Sequence, residues 1–160
     1  MPADRVYVTC GSNHFALLLP AGFRVQSSGD RSLTLLSDDS SCIFTFRPGQ
    51  QLEPSELSPE RCRKALLSEH PTARITQEFA LWADSRSGPA FDAAWTAAGA
   101  LARQARVVFI PSTDGVLEFS MVCDPDKIEV GRRALHTILL TFRASDPNGK
   151  LQVAPLSNQT

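Results

Sequence analysis

Between Asp124 and Phe142 the residues Ile128, Gly131, Leu135, Ile138, Leu139 and Phe142 recur at helical spacing and make one continuous stripe. A helix that is apolar along one side only is stable when that side lies on an apolar surface of matching width. Most of the preceding chain offers such a surface as strands, because its apolar residues recur at every second position. The stripe is introduced by Asp124-Pro125-Asp126: a cap residue, a proline at the first helical position and an acid near the positive end of the helix.

Ahead of that helix, short strands are separated by turn residues. Phe15-Ala16-Leu17-Leu18-Leu19 stops at Pro20-Ala21-Gly22, and residues 23–26, 32–36 and 42–46 follow as further strands. Cys42, Phe44 and Phe46 share one face, opposite Ile43 and Thr45, which suggests a strand covered on both sides. Ser58-Pro59-Glu60 repeats the cap, proline and acid pattern and starts a middle helix, with Cys62, Ala65, Leu66 and Glu69 on one face and Pro71 as its stop. From Ile75 the period returns to two. Ile75, Phe79, Leu81 and Ala83 fall on one face, with Gln77 the exception, and Arg74, Thr76 and Glu78 on the other.

Ser87-Gly88-Pro89 reads as a turn. Residues 90–106 are open to two assignments: the many alanines favour helix, whereas Gly99 and the β-branched run after Arg106 favour strands. We take residues 91–98 and 101–110 as two strands around Gly99. After a turn over Pro111–Gly115, Leu117, Phe119 and Met121 alternate with Glu118, Ser120 and Val122 as one more strand.

A chain of 160 residues holds one ordinary core. Residues 1–145 are expected to form a single domain, and residues 146–160, with turn and polar residues but no period, a flexible tail. The net charge of -1 provides no broad positive field for phosphates, so nucleic acid is not an expected partner. The apolar runs fall far short of the ~20 residues that cross a bilayer, so no membrane span is expected. Met1-Pro2-Ala3-Asp4-Arg5 is followed by mixed polar sequence rather than a secretory leader, which points to the cytoplasm. Cys10, Cys42, Cys62 and Cys123 form no C-x-x-C pair. Cys10 and His14 lack a second pair of ligands, so no metal is expected, and the other three cysteines read as buried small hydrophobes.

These elements predict an α+β fold, a three-layer α/β/α sandwich whose central, mainly antiparallel sheet is covered by helices. The opening Phe15-Ala16-Leu17-Leu18-Leu19-Pro20-Ala21-Gly22-Phe23, the middle helix, the long hairpin region and Ile138-Leu139-Leu140-Thr141-Phe142-Arg143 resemble the Mog1/PsbP-like superfamily. The resemblance covers about nine-tenths of the chain. It implies compact sandwiches that mostly bind other proteins: a Ran-GTPase-binding protein, photosystem II extrinsic subunits, bacterial envelope proteins and cytoplasmic chaperones of type VI secretion effectors. Without a leader, the adaptor or chaperone branch is the one that fits. The superfamily has no catalytic motif, and no functional residue is carried over.

The chain contains no G-x-S-x-G, H-E-x-x-H, P-loop or G-x-G-x-x-G, so neither a catalytic site nor a cofactor is expected. Asp38 with Asp39 reads as a solvated turn, Asp124 with Asp126 as a helix start, and Glu53 with Glu56 as an exposed connection. His70 reads as a helix end and His136 as a boundary residue. Arg103 and Arg106 fall on opposite faces of their strand, while Arg132 and Arg133 belong to a solvated helix face. Trp82 alternates with inward-facing Leu81 and Ala83, so it is the expected contact for a partner protein; Trp95, which shares a face with Phe91, is the weaker candidate. The function expected is a non-enzymatic protein-binding domain. The competing classes are a small-molecule-binding or catalytic domain with a dispersed site, and a self-associating structural subunit.

Overall fold

Period-two sequence becomes sheet almost throughout the chain. A computed structural model describes residues 5–10, 13–28, 32–49, 52–53, 55, 57–112 and 115–145. In chain order the elements are β1 (Arg5–Cys10), β2 (Asn13–Leu18), β3 (Phe23–Ser28), β4 (Leu33–Ser37), β5 (Cys42–Pro48), α1 (Pro59–Glu69), β6 (Arg74–Ala83), β7 (Arg86–Ala97), β8 (Leu101–Ser112), β9 (Gly115–Cys123), α2 (Ile128–Thr141) and β10 (Arg143–Ser145). Seven strands form an antiparallel sheet in the order β3-β4-β5-β9-β8-β7-β6, and three form a second sheet in the order β1-β2-β10. The expected tail, residues 146–160, lies outside the described residues. No helix among the described residues is long and apolar enough to cross a membrane.

The large sheet is two meanders joined at their ends. β3-β4-β5 meets β6-β7-β8-β9 through the β5–β9 ladder, in which Cys42, Phe44 and Phe46 face Cys123, Met121 and Phe119. The connection leaving β5 must therefore pass β9, β8 and β7 to reach β6 at the far edge, and α1, lying on it, packs on β7. Alternation along the strands divides the apolar residues into two clusters. One joins α2 (Ala134, Leu135, Ile138, Leu139) and Phe142 to Phe15, Phe44, Phe46, Val108, Ile110 and Phe119. The other joins Cys62 and Leu66 of α1 to Phe91, Ala93, Ala105, Val107 and Phe109. Aromatic rings fill the centre of the first: Phe142 lies 5.0 Å from Phe15, stacked, and 5.0 Å from Phe119, edge-on.

The alanine-rich stretch is a hairpin. β7 and β8 pair from Ala90↔Val108 to Ala97↔Leu101, and the turn between them places Gly99 at φ 78°. Alternate burial of Phe91 and Ala93 against Ala105 and Val107 outweighs the helical propensity of alanine.

Four expectations are corrected. The β6–β7 turn is Asp84-Ser85, both at positive φ as a tight hairpin turn requires, and Ser87-Gly88-Pro89 lies within β7. Pro89 is accommodated because its missing N–H lies beyond the β8 ladder, whose register begins at Ala90. In β6 a bulge between Ile75 and Gln77 reverses the alternation, so Ile75 joins the α1 cluster while Phe79 and Leu81 join the α2 cluster; Gln77 ceases to be an exception. β5 is covered on one face only, since Ile43 is 39% exposed. The final helix begins later than its cap signal: Pro125–Lys127 is a 3-10 turn, and α2 starts at Ile128.

β1 and β10 were not foreseen from the sequence. β10 is three residues long, too short to display a period, and its strand character comes from pairing with β2 at Arg143↔Ala16 and Ala144↔Phe15.

The β4–β5 turn makes a local prediction. The Asp39 carboxylate accepts from Ser41 Oγ (2.6 Å), Ser41 N (3.0 Å) and Ser37 Oγ (2.9 Å). These bonds, the one from the Ser41 hydroxyl foremost, lower its pKa from 3.8 to about 2. Because the folded value is the lower one, the contribution of the turn to stability is complete above 3.8 and is lost as pH falls through about 2. A carbon-detected titration should place the Asp39 midpoint near 2, and Ser41→Ala should return it toward 3.8.

Candidate functional site

β6 is an edge of the large sheet, with β7 as its one neighbour. Its outer side carries Glu78, Ala80 and Trp82, all exposed, and Arg63 of α1 bonds Glu78 (Nε to Oε1, 2.6 Å). Trp82 is 65% exposed beside the Asp84-Ser85 turn and opposite Ser87, as its alternation with Leu81 and Ala83 predicts. Trp95 is half-buried against the α1 cluster, its ring stacked on His70 at 4.1 Å. His70 is thus a helix end whose N–H reaches the Leu66 carbonyl, but its imidazole lies on an aromatic ring rather than in solvent; burial lowers its pKa below the usual histidine value.

Two charged clusters escaped the sequence. In the first, Arg47 of β5 reaches across the sheet to Glu118 of β9 (Nε to Oε2, 3.0 Å) and also pairs with Glu69 at the end of α1. Glu118 is 9% exposed although alternation places it opposite the Phe119 core, because β9 is a central strand with both faces covered. Its burial raises the carboxyl pKa, which the Arg47 charge partly offsets. In the second, Asp92 of β7, 3% exposed, accepts from Arg106 of β8 through two bonds (2.7 and 2.9 Å) and from Arg132 of α2 (3.3 Å). Arg132 therefore ties α2 to the sheet rather than belonging to a solvated helix face, whereas Arg133 is exposed. Nothing in a single sequence distinguishes these acids from solvated ones, since each sits at an alternating position like its exposed neighbours.

The other candidates remain apart. Asp124 pairs with Arg103 instead of capping α2. Arg103 and Arg106 do point to opposite faces, each with its own acid. Asp38 and Glu53 are exposed, His136 likewise, and Glu56 lies outside the described residues. Cys10 and His14 flank the β1–β2 turn, with Gly11 and Ser12 outside the described residues. Cys42, Cys62 and Cys123 are buried free thiols, and burial pushes the Cys62 thiol up to about 12, far from thiolate character at neutral pH. Among the described residues no three His, Cys, Asp or Glu side chains converge as a metal site.

The antiparallel sheet with its two helices is a Mog1/PsbP-like fold. The solution structure of cyanobacterial PsbP (CyanoP) from Synechocystis sp. PCC 6803 is similar at TM-score 0.59 and 10% identity, over 89% of this chain and 93% of that one. LpqN of Mycobacterium tuberculosis, a protein involved in cell envelope biogenesis, is similar at TM-score 0.57 and 16% identity, over 90% of this chain and 92% of that one. A Bacteroides thetaiotaomicron structure is similar at TM-score 0.59 and 11% identity; the match takes in 96% of this chain but 55% of that one. No protein-family model and no curated protein matches the sequence.

Proposed function

We propose that this chain is a non-enzymatic protein-binding domain, an adaptor or chaperone, that receives an extended segment of a partner protein along β6 with Trp82 as the main apolar contact. The observation that carries the proposal is Trp82, 65% exposed at one end of a ten-residue edge strand. An unpaired edge offers a row of backbone donors and acceptors to an added strand, and tryptophan is enriched among residues that dominate binding energy. In a three-layer α/β/α description of the architecture, β6 is an edge strand that turns Phe79 and Leu81 toward the α2 cluster and leaves Trp82 exposed. A cytoplasmic setting belongs to the same proposal, supported by three buried free thiols.

Panning a library of random peptides against the protein tests it. Selected peptides should bind about tenfold or more weakly to Trp82→Ala, whose melting temperature stays that of the parent, and should protect β6 amides from hydrogen exchange. Binders that ignore Trp82→Ala and leave those amides unprotected would sink the proposal. A mass that doubles with concentration, and that Trp82→Ala returns to monomer, would assign the edge to a second copy of the chain instead.

A further inference from the structure

A cleft of about 640 Å3 lies between the outer flank of α1 and the strands β5 and β9. Its size falls in the range of small-molecule sites, about 300–1,000 Å3, yet its walls are mostly charged. Glu118 on β9 and Glu69 at the end of α1 share the single guanidinium of Arg47, which leaves one net negative charge on that trio. Arg47 engages Oε2 of Glu118, and the buried carboxylate also lines the cleft. A buried acid that must share its counter-charge is under-compensated, as the upward displacement of its pKa by burial also indicates. Nearer its start α1 carries Arg61 and Lys64, one helical turn apart, and no carboxylate among the described residues pairs with Lys64. Leu52 and Ala65 add apolar surface to the lining.

We propose that this cleft binds a small zwitterion, a free amino acid or short peptide with an aliphatic side chain. Glu118 and Glu69 receive its ammonium, Lys64 its carboxylate, and Leu52 and Ala65 its side chain. An ammonium has three donors and restores the charge balance around the shared Arg47, whereas an anion alone would face Glu118 and a cation alone would face Lys64. The site is independent of the β6 edge, so either can fail without the other.

The test is calorimetric titration with L-leucine, with 4-methylpentanoate, which lacks the ammonium, and with isopentylamine, which lacks the carboxylate. Leucine should bind at least about tenfold more tightly than either relative, since each missing charge removes charge-assisted hydrogen bonds. Lys64→Ala should weaken leucine about tenfold and leave isopentylamine unchanged, while Glu69→Gln should weaken isopentylamine and leave 4-methylpentanoate unchanged. Both are exposed helix positions, so unchanged melting temperatures show that the variants fold. Absence of heat with leucine up to about 10 mM, binding no tighter than that of its one-charge relatives, or indifference to both substitutions overturns the proposal.

Discussion

Gly88→Ala is expected to destabilise the protein by about 3 kcal/mol or more, lowering the melting temperature by roughly 10 °C. A Cβ at this position would stand 1.6 Å from the Phe109 carbonyl oxygen, 2.7 Å from its carbon and 3.3 Å from Ile110 Cα. All three are backbone atoms of β8, which is held on its other side by the β9 ladder at Phe109↔Glu118 and Ile110↔Leu117. No flexible side chain can give way, so the β7–β8 approach itself must open. Gly99→Ala is the matched control: φ is 78° there, but open space surrounds the position. It should cost about 1 kcal/mol, the strain of a left-handed alanine. Urea unfolding of both variants separates crowding from backbone strain, and equal costs would refute the close approach.

The second large effect is expected at Asp92. Asp92→Ala removes the shared partner of Arg106 and Arg132 and leaves two guanidinium groups facing each other, with Arg106 fixed 4.7 Å over the Phe79 ring. Breaking a buried ion cluster from its central member costs about 3–5 kcal/mol. Arg132→Ala removes an outer member about one-third exposed, and Asp92 keeps its two bonds to Arg106, so the expected cost is about 1 kcal/mol. Chemical denaturation of the two single variants and the double variant measures the coupling. If Asp92→Ala costs no more than Arg132→Ala, the cluster does not hold α2 to the sheet. The asymmetry has a plain origin: the carboxylate is 3% exposed and its loss strands two cations, whereas the Arg132 side chain is about one-third exposed.

The Mog1/PsbP-like expectation rested on packing features, and packing is what the fold comparisons share. The opening strand, the two helices and the hairpin around Gly99 were visible because each is written locally: Ser58 accepts from Arg61 N at the start of α1, the apolar stripe marks α2, and Gly99 takes the positive φ that its turn needs. The exposure of Trp82 was equally local, since two inward neighbours fix its side of the strand. The β6–β7 turn was misplaced because Ser87-Gly88-Pro89 has turn chemistry but serves a close approach between strands, while Asp84-Ser85 carries the turn. Gly88 shows how one residue type answers two different demands.

By itself the sequence determined the two helices and most of the strands, though not β1 or β10, together with the buried faces of α1 and α2 and the absence of recognisable catalytic motifs, because periodicity and caps depend on neighbours within a few residues. Only the tertiary structure decided that β5 lies beside β9, that β1 and β10 add a second sheet to β2, and that Glu118 and Asp92 are buried while similar acids are exposed. Strand order and burial follow from contacts between residues tens of positions apart: Arg47 meets Glu118 and Asp92 meets Arg132 because three separate chain segments close on one sheet. The same closure brings Glu118 of β9 to the cleft that Lys64 and Glu69 of α1 line. A local period specifies a side of a strand; what stands on that side is decided by the rest of the molecule.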